Sequence, residues 1–475
     1  MPFRLPERGP RTLKRSICLT SWISVSLFGQ FSGVFREAYP GRVTFSHRPP
    51  APQQPSHLRY AARAVLRAGL LLLASGASAY RVKHSMERTA HALGIRTTHA
   101  AVSFTEITLT CYGYGDVCTL TGEQRALGVN AARIDALITA IDALPDGSTP
   151  ARVTSTLDDA IARARTYPAW LLALVSGLAC ACFCFLNRGG VVECSAVFFA
   201  ASAGQAARGW LARRLVNHFG IWFLVGALAA VLYLATVGVA EAAWHIAVVH
   251  EAGVVSALLF LIPGFPLVTA MLDTIRADFS AGLTRGAYVT MLMLAAGMAV
   301  WVVTVLFDTD IAPHAAYVIP EPWLALARGA ATFVASYGFA MLFTAEQGAA
   351  LLAGAIGAIV NAARLSAQDA GFYNVAAVFL AALGAGVLAH LLTRRTRFSR
   401  VSLSVPAVVV MIPGVVFFRG LHAINAGQIA QAAGALTNVV LVICAVGAGV
   451  AAARMITDRH WLMEPPHELS PAFDE

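Results

Sequence analysis

The sequence predicts an α-helical membrane protein: ten transmembrane helices forming two inverted five-helix repeats, preceded by a small α+β cytoplasmic domain. Three observations carry this expectation. Of 475 residues, 57% are hydrophobic and 13% charged, with a mean hydropathy of +0.65, whereas soluble proteins carry about 25% charged residues. A Pro-Gly pair interrupts two long apolar stretches, Leu259-Phe260-Leu261-Ile262-Pro263-Gly264 and, 150 residues later, Val409-Val410-Met411-Ile412-Pro413-Gly414. Arginines gather on one set of connections between apolar runs, the asymmetry that orients a protein in a membrane.

Residues 1–57 carry eight Arg or Lys against two Glu and end in a Pro-rich stretch, His47 to Pro55. This composition predicts a disordered Arg/Pro-rich extension. Its apolar piece Ser16 to Val34 resembles a signal h-region, but no small-residue cleavage site follows and a cytoplasmic-looking domain comes next; a start codon assigned too early is an equally good account. Residues 58–166 change to the pattern of a small soluble domain. A helical run from Tyr60 to Leu93 stops at Gly94, and Val102 to Thr110 is rich in strand formers. A second strand, Val117 to Leu120, follows the hairpin-turn residues Tyr112-Gly113-Tyr114-Gly115-Asp116. Asn130 opens a helix through Ile134, Leu137, Ile138 and Ile141, and Val153 to Arg165 forms a polar-faced helix leading into the membrane.

The membrane part begins at Pro168. Uncharged runs follow at Pro168–Asn187, Gly220–Ala240, Ala252–Leu272, Gly286–Phe307, Gly329–Ala345, Gln347–Ala363, Ala370–Thr393, Val401–Phe418 and Gly420–Ala453. Most match the roughly 20 residues a span needs. The shorter run Cys194 to Ala207, extended by Gly189 to Val191, makes the second of ten. The first repeat covers residues 167–307, the second 320–461, and 462–475 form a cytoplasmic tail. With the domain inside, cytoplasmic connections hold Arg208, Arg213, Arg214, Arg276, Arg285, Arg394, Arg395, Arg397, Arg400, Arg454 and Arg459. The other side holds Arg188, Arg364 and Arg419, with Arg328 just inside the sixth span, and the acidic Asp308, Asp310 and Glu321. Five spans per half is an odd number, so the second half sits upside down relative to the first. Internal similarity agrees: Gly204-Gln205-Ala206-Ala207-Arg208 matches Val360-Asn361-Ala362-Ala363-Arg364, 156 residues on.

Proline removes a backbone donor and crowds the carbonyl four residues earlier, and the glycine lets the chain turn. In hydrocarbon, such a break survives where protein or a wet cavity satisfies the freed groups. Two corresponding breaks therefore point to one transport site between the fourth and ninth spans, involving Pro263, Gly264, Pro413 and Gly414. Simple kinking of two membrane helices is the plainer alternative. Beyond the first break, Asp273 and Arg276 can share a face. Asp273 or Asp278 is a candidate for proton uptake or for gating the cytoplasmic mouth, with Arg285 as partner; an ordinary solvated loop is the alternative. Glu251, beside His250, is a candidate for proton exchange or an interfacial group. Arg419 is a candidate for a substrate carboxylate or an interfacial anchor.

Other function classes find little support. The only lysines, Lys14 and Lys83, do not follow a glycine, which excludes a phosphate-cradling G-x-x-x-x-G-K-[ST] loop. The eight cysteines lack metal-ligand spacing, and the net charge of +9 is spread over connections rather than one face for nucleic acid. No cofactor, metal or nucleic acid is expected. His84, His91, Cys111 and Asp116 lack a convergent motif. A hydrolase acting through residues 58–150, around Ser85 and His84, lacks a recognisable nucleophile, base and orienting group. A receptor or scaffold has no need of repeated broken helices.

These residues together resemble the threonine/serine exporter family. The resemblance covers roughly residues 65 to 455. It rests on Leu71-Leu72-Leu73-Ala74-Ser75-Gly76-Ala77-Ser78-Ala79-Tyr80-Arg81-Val82, Ala92-Leu93-Gly94, Gly128-Val129-Asn130, and the stretch from Ile262-Pro263-Gly264 through Asp273, Asp278, Gly282 and Arg285. The second half adds Ile412-Pro413-Gly414-Val415-Val416-Phe417-Phe418-Arg419-Gly420. Where the family often has glycine before the second aspartate, this chain has Ala277. The resemblance implies a cytoplasmic domain before ten membrane helices, in a family whose halves are sometimes separate subunits, including a pair linked to succinate export. It implies proton-coupled export of small hydrophilic metabolites across a bacterial inner membrane, with threonine or serine as substrate and dicarboxylates such as succinate as the nearest alternative. The domain would deliver or gate substrate. Oligomeric state, a homo-oligomer included, stays open.

Overall fold

A computed structural model describes residues 57–113, 115–125, 128–214, 217–245, 251–307, 319–320, 323–458 and 461. The amino-terminal extension, the 462–475 tail, His250, Asp308, Asp310, Glu321, Arg459 and the side chain of Glu251 lie outside the described residues.

The domain opens with two helices, α1 (His57–Ala74) and α2 (Ala79–Ala92). The single run expected from Tyr60 to Leu93 is therefore divided. Gly76 takes φ +90, a conformation that needs glycine, and Ser75 Oγ donates back to the Leu71 carbonyl. Apolar periodicity continues across this turn, which hides it in the sequence. Three strands, β1 (Thr97–Val102), β2 (Glu106–Gly113) and β3 (Asp116–Glu123), form an antiparallel sheet in the order β1-β2-β3. The expected strand Val102 to Thr110 instead turns at Ser103–Thr105, where Ser103 Oγ accepts the N–H groups of Thr105 and Glu106. Ile107, Leu109 and Cys111 bury the sheet face that meets α1. Next come α3 (Ala131–Asp142) and α4 (Pro150–Arg163). The Asn130 carbonyl oxygen of the side chain accepts the Arg133 N–H at 2.8 Å, the expected helix start.

The apolar part comprises α5 (Ala169–Leu186), α6 (Val191–Arg213), α7 (His218–Trp244), α8 (Glu251–Ala257), α9 (Gly264–Ile275) and α10 (Phe279–Leu306). After these come α11 (Trp323–Leu342), α12 (Gln347–Asp369), α13 (Asn374–Thr393), α14 (Arg400–Val409), α15 (Gly414–Asn425) and α16 (Ile429–Thr457). Among the described residues, seven helices are long and apolar enough to cross a membrane: α5, α7, α10, α11, α12, α13 and α16. An eighth arises if α14 and α15, bent by 45°, count as one span. Helix α6 carries Glu193, Gln205, Arg208 and Arg213, and the break divides α8 from α9 into pieces too short to cross alone. Leucines 224 and 228 on α7 face outward, whereas Ala229, Ala230 and Gly226 face the neighbouring helices. Small residues at helix contacts are what lipid-embedded packing favours.

Packing partners repeat in order. In the first series α5 meets α6, α6 meets α7, α7 meets α10, α8 meets α5, α6 and α7, and α9 meets α10. In the second, α11 meets α12, α12 meets α13, α13 meets α16, α14 meets α11, α12 and α13, and α15 meets α16. Contacts between the series are reciprocal: α9 on α14 with α15 on α8, and α9 on α16 with α15 on α10.

The turns after α9 and α15 also correspond, with Ala277 at φ +62 and Gly427 at φ +71. A left-handed alanine is strained, because its Cβ crowds the following carbonyl. Ala277→Gly is expected to stabilise the protein by about 0.5–1 kcal/mol after the added chain entropy is subtracted. A detergent melting curve with an unchanged or lower Tm would contradict this account of the turn.

Candidate functional site

Both Pro-Gly pairs break their helix in the same way. Pro263 (φ −77, ψ 59) and Pro413 (φ −83, ψ 61) adopt inverse γ-turns. Gly264 N–H donates to the Ile262 carbonyl at 2.8 Å, and Gly414 N–H to the Ile412 carbonyl at 2.9 Å. Each donation returns to a residue two positions back, so carbonyls that a continuous helix would serve are freed. In the first break, Arg208 Nη1 donates to the Phe260 carbonyl at 3.2 Å and Trp222 Nε1 to the Leu261 carbonyl at 2.6 Å. Side chains of α6 and α7 thus replace the missing backbone donors.

The two breaks lie against each other, as expected. A Cβ added at Gly264 would stand 2.7 Å from a Val409 methyl, and one at Gly414 would stand 3.3 Å from Ile262 Cδ1. The void between them is small and apolar, about 50 Å³, lined by Leu258, Ile262, Gly414, Phe417 and Phe418. A larger cavity of about 360 Å³ lies beside the first break, on the side of the domain. Its walls include Gln205, Arg208, Trp222, Pro263, Arg285 and Tyr288, and Phe104 from the β1–β2 turn closes over it. Arg208 lies over the Trp222 ring and Arg285 over the Phe104 ring. His218 Nδ1 and the Tyr288 hydroxyl are 2.8 Å apart.

Arg285 is 1% exposed. Its Nη2 donates to the Ala77 carbonyl at 3.0 Å, and its Nη1 faces Asp273 Oδ2 at 3.4 Å. Among the described residues its Nε and Nη1 make no hydrogen bond, and neither does Gln205 Oε1. Arg285 is thus a cation in a largely apolar wall with donors left over. A buried charge in that condition favours an anion that can complete its hydrogen bonds.

Asp273 and Asp278 face the domain rather than open solvent. Asp273, also 1% exposed, accepts the Ala79 N–H at 2.9 Å at the start of α2, where the anion meets the positive helix end. Asp278 pairs with Lys83. Arg276 stacks over Tyr80, 4.2 Å from its ring centre, so the Asp273–Arg276 face-sharing expected from spacing gives way to the Asp273–Arg285 pair. Helix ends also join the domain to the second series. The Ala131 and Ala132 N–H groups donate to the carbonyls of Phe343 and Thr344 just past α11, and Asp135 accepts Ser399 N–H and Ser402 Oγ–H at the start of α14.

Burial pushes the Asp135 carboxyl up to about 6, against the Ser399 and Ser402 hydrogen bonds that pull it down and with help from the Glu346 carboxylate. A raised folded-state value means that its stabilising contribution is present at low pH and is lost as pH rises through about 6. Asp135→Asn should therefore raise stability at pH 7.5, by on the order of 2 kcal/mol and visibly as a higher Tm, and have little effect at pH 4. Equal shifts at both pH values would contradict this sign.

The remaining sequence candidates are more scattered. Among the described site candidates, Pro263 and Arg285 line the larger cavity and Gly414 lines the smaller void. Asp278 lies in a separate surface groove with Lys83 and Glu106, and Arg419 is exposed on α15. In the domain, Ser85 is buried while its neighbour His84 is exposed and stacks on Tyr80. His91 lies near Asp146, Cys111 is buried in β2, and Asp116 sits at the β2–β3 turn, so the four polar candidates do not converge. Gln205 enters the sequence reading only through an internal match, and Arg208 through that match and as an arginine of a cytoplasmic connection, whereas it lies inside α6; an arginine repeated inside an apolar context was the available signal. Trp222, Tyr288 and Phe104 carry no such signal, since tertiary folding alone brings them together.

Comparison with known proteins agrees with this architecture. Residues 63–307 match the family model described as "Putative threonine/serine exporter", and residues 328–456 match "Threonine/Serine exporter, ThrE". The chain is 30% identical over 247 residues to the "Probable succinate transporter subunit YjjP" of Klebsiella aerogenes, covering 50% of this chain and 91% of that protein. It is 30% identical over 246 residues to the protein of the same name from Escherichia coli (strain K12), covering 51% and 93%. No solved structure matches. With both family models present in one polypeptide, the chain is a multi-pass membrane transporter that belongs to the threonine/serine exporter family.

Proposed function

We propose that the protein is a secondary transporter exporting small carboxylate metabolites, which bind in the 360 Å³ cavity beside the first break. The observation that carries this is the buried Arg285, with Nε unspent and Nη1 held only by the 3.4 Å ion pair to Asp273, in a wall shared with Arg208. A carboxylate completes both guanidinium groups in a water-poor site, where charge-assisted hydrogen bonds are strong. The described cavity lining holds two arginines and no carboxylate, which favours a dicarboxylate such as succinate. The name of the two relatives points the same way. Threonine or serine is the second reading, supported by the family description and by Gln205 Oε1, an open acceptor for an ammonium or hydroxyl group.

The ten spans belong to two inverted sets of five, residues 167–307 and 320–461, with the domain at 58–166 and the tail at 462–475 on the cytoplasmic side of an inner membrane. Reciprocal packing and matching γ-turns support this arrangement. Asp273 carries the proton. A proton there removes the charge opposite Arg285, so binding of a dianion tightens on acidification. For an amino acid, whose ammonium group competes with that proton, acidification weakens binding and the coupling is antiport.

Full-length protein in proteoliposomes, loaded with labelled succinate, threonine or serine, tests the proposal. Succinate efflux that threonine does not inhibit, with affinity rising as pH falls, is the expected result. Threonine efflux inhibited by serine but not by succinate transfers the site to amino acids. If none of the three moves, the proposal fails.

A further inference from the structure

We infer that Arg364 and Asn361 form a second carboxylate-binding site, on the face of the molecule away from the domain, which receives the substrate as it leaves. This rests on the carrier reading above. Arg208 and Arg364 each stand seventeen residues past the first residue of their helix, α6 from Val191 and α12 from Gln347. Gln205 and Asn361 precede them by three residues. Helix α6 packs on α8, the lead-in to the first break, and α12 packs in the same way on α14, the lead-in to the second. Helix α6 runs toward the domain, sharing a cavity wall with Gly76 and Phe104, whereas α12 starts beside it, just after the Thr344 carbonyl that accepts the Ala132 N–H. Arg364 is therefore about 25 Å along α12 from that end.

The two positions are in different states. On the domain side, Gln205 and Arg208 line an open cavity, and Gln205 Oε1 has no hydrogen-bond partner among the described residues. On the far side, Asn361 is fully buried, donating to Thr332 Oγ1 at 2.9 Å and accepting from Arg364 Nε at 2.8 Å. Closure there is reinforced across the two series: Asp369 meets Arg328 at 2.5 Å and Arg188, from the α5–α6 turn, at 3.7 Å. If the two series exchange conformations, the first vestibule shuts and the second opens. Arg364 then leaves Asn361 for the substrate carboxylate, in the role Arg208 holds on the domain side. The Asn361–Arg364 bond is a placeholder that the substrate displaces.

Sided transport of succinate by oriented proteoliposomes tests the assignment. Arg364→Gln should raise KM for succinate offered at the far face by about tenfold or more while changing the domain-face KM by less than about twofold; Arg208→Gln should do the reverse. If Arg364→Gln does not assemble, Arg364→Lys keeps the charge but not the planar fork and should raise only the far-face KM, by about threefold or more. An Arg364 variant that shifts both KM values equally, or neither, overturns the inference. That outcome alongside a domain-face effect of Arg208→Gln leaves the carrier reading standing; no transport of succinate, threonine or serine by the unmodified protein removes both.

Discussion

Arg285→Gln is expected to lower transport at least about a hundredfold. Two charge-assisted hydrogen bonds to substrate are lost, each contributing roughly 1.5–3 kcal/mol. Because Asp273 then keeps its buried charge without a counter-ion, the same change should also destabilise the fold by about 3–5 kcal/mol. The two effects separate in the double variant Asp273→Asn with Arg285→Gln, which removes both charges. Its Tm should return most of the way to that of the unmodified protein, while efflux stays low. Efflux that recovers together with Tm would show that Arg285 only supports the fold.

Pro263→Ala is expected to cut transport at least tenfold with at most a small loss of stability. Alanine restores an N–H that can reach the Leu259 carbonyl, which now accepts from Ile262. Pro263 sits in the break at a φ that proline holds without strain, so its replacement costs only about 0.4–1 kcal/mol through chain entropy and the variant still folds and inserts. As α8 and α9 straighten, the Phe260 and Leu261 carbonyls turn to the backbone, and Arg208 and Trp222 lose their anchors. Pro413→Ala should act in the same direction but less strongly on uptake at the domain face, since Arg364 is engaged with Asn361 rather than with the break. Equal efflux from Pro263→Ala and the unmodified protein, with both correctly inserted, would reduce the break to a simple kink.

Much of this organisation was legible because it depends on local chemistry. A proline followed by glycine marks each break, whereas Pro406 lies inside α14 without ending it, and the Asn130 cap follows from its own side chain. The pairing of Asp273 with Arg285 was also foreseeable, although spacing alone equally suggested Arg276, whose guanidinium stacks on Tyr80 instead. What the sequence concealed was long-range. Gly76 turns the chain inside an unbroken apolar pattern, and Ser103 divides a run of strand formers. Arg208 lies 52 residues from the carbonyl it serves, and Phe104 reaches the cavity from a different layer of the fold. Nor does periodicity reveal that Asp273 and Asp278 are engaged by the domain: Ala79 and Lys83 lie almost two hundred residues earlier.

The domain is fastened to both halves of the membrane bundle at once. Through Asp273 and Asp278 it grips the first series, and through Ala131, Ala132 and Asp135 it grips the second. Helix α3 continues from the end of α11 head to tail, so tilting α11 swings the domain like an oar on its pin. Rocking of one half against the other would stretch this strap, and one of its buckles must open before the bundle can complete a stroke.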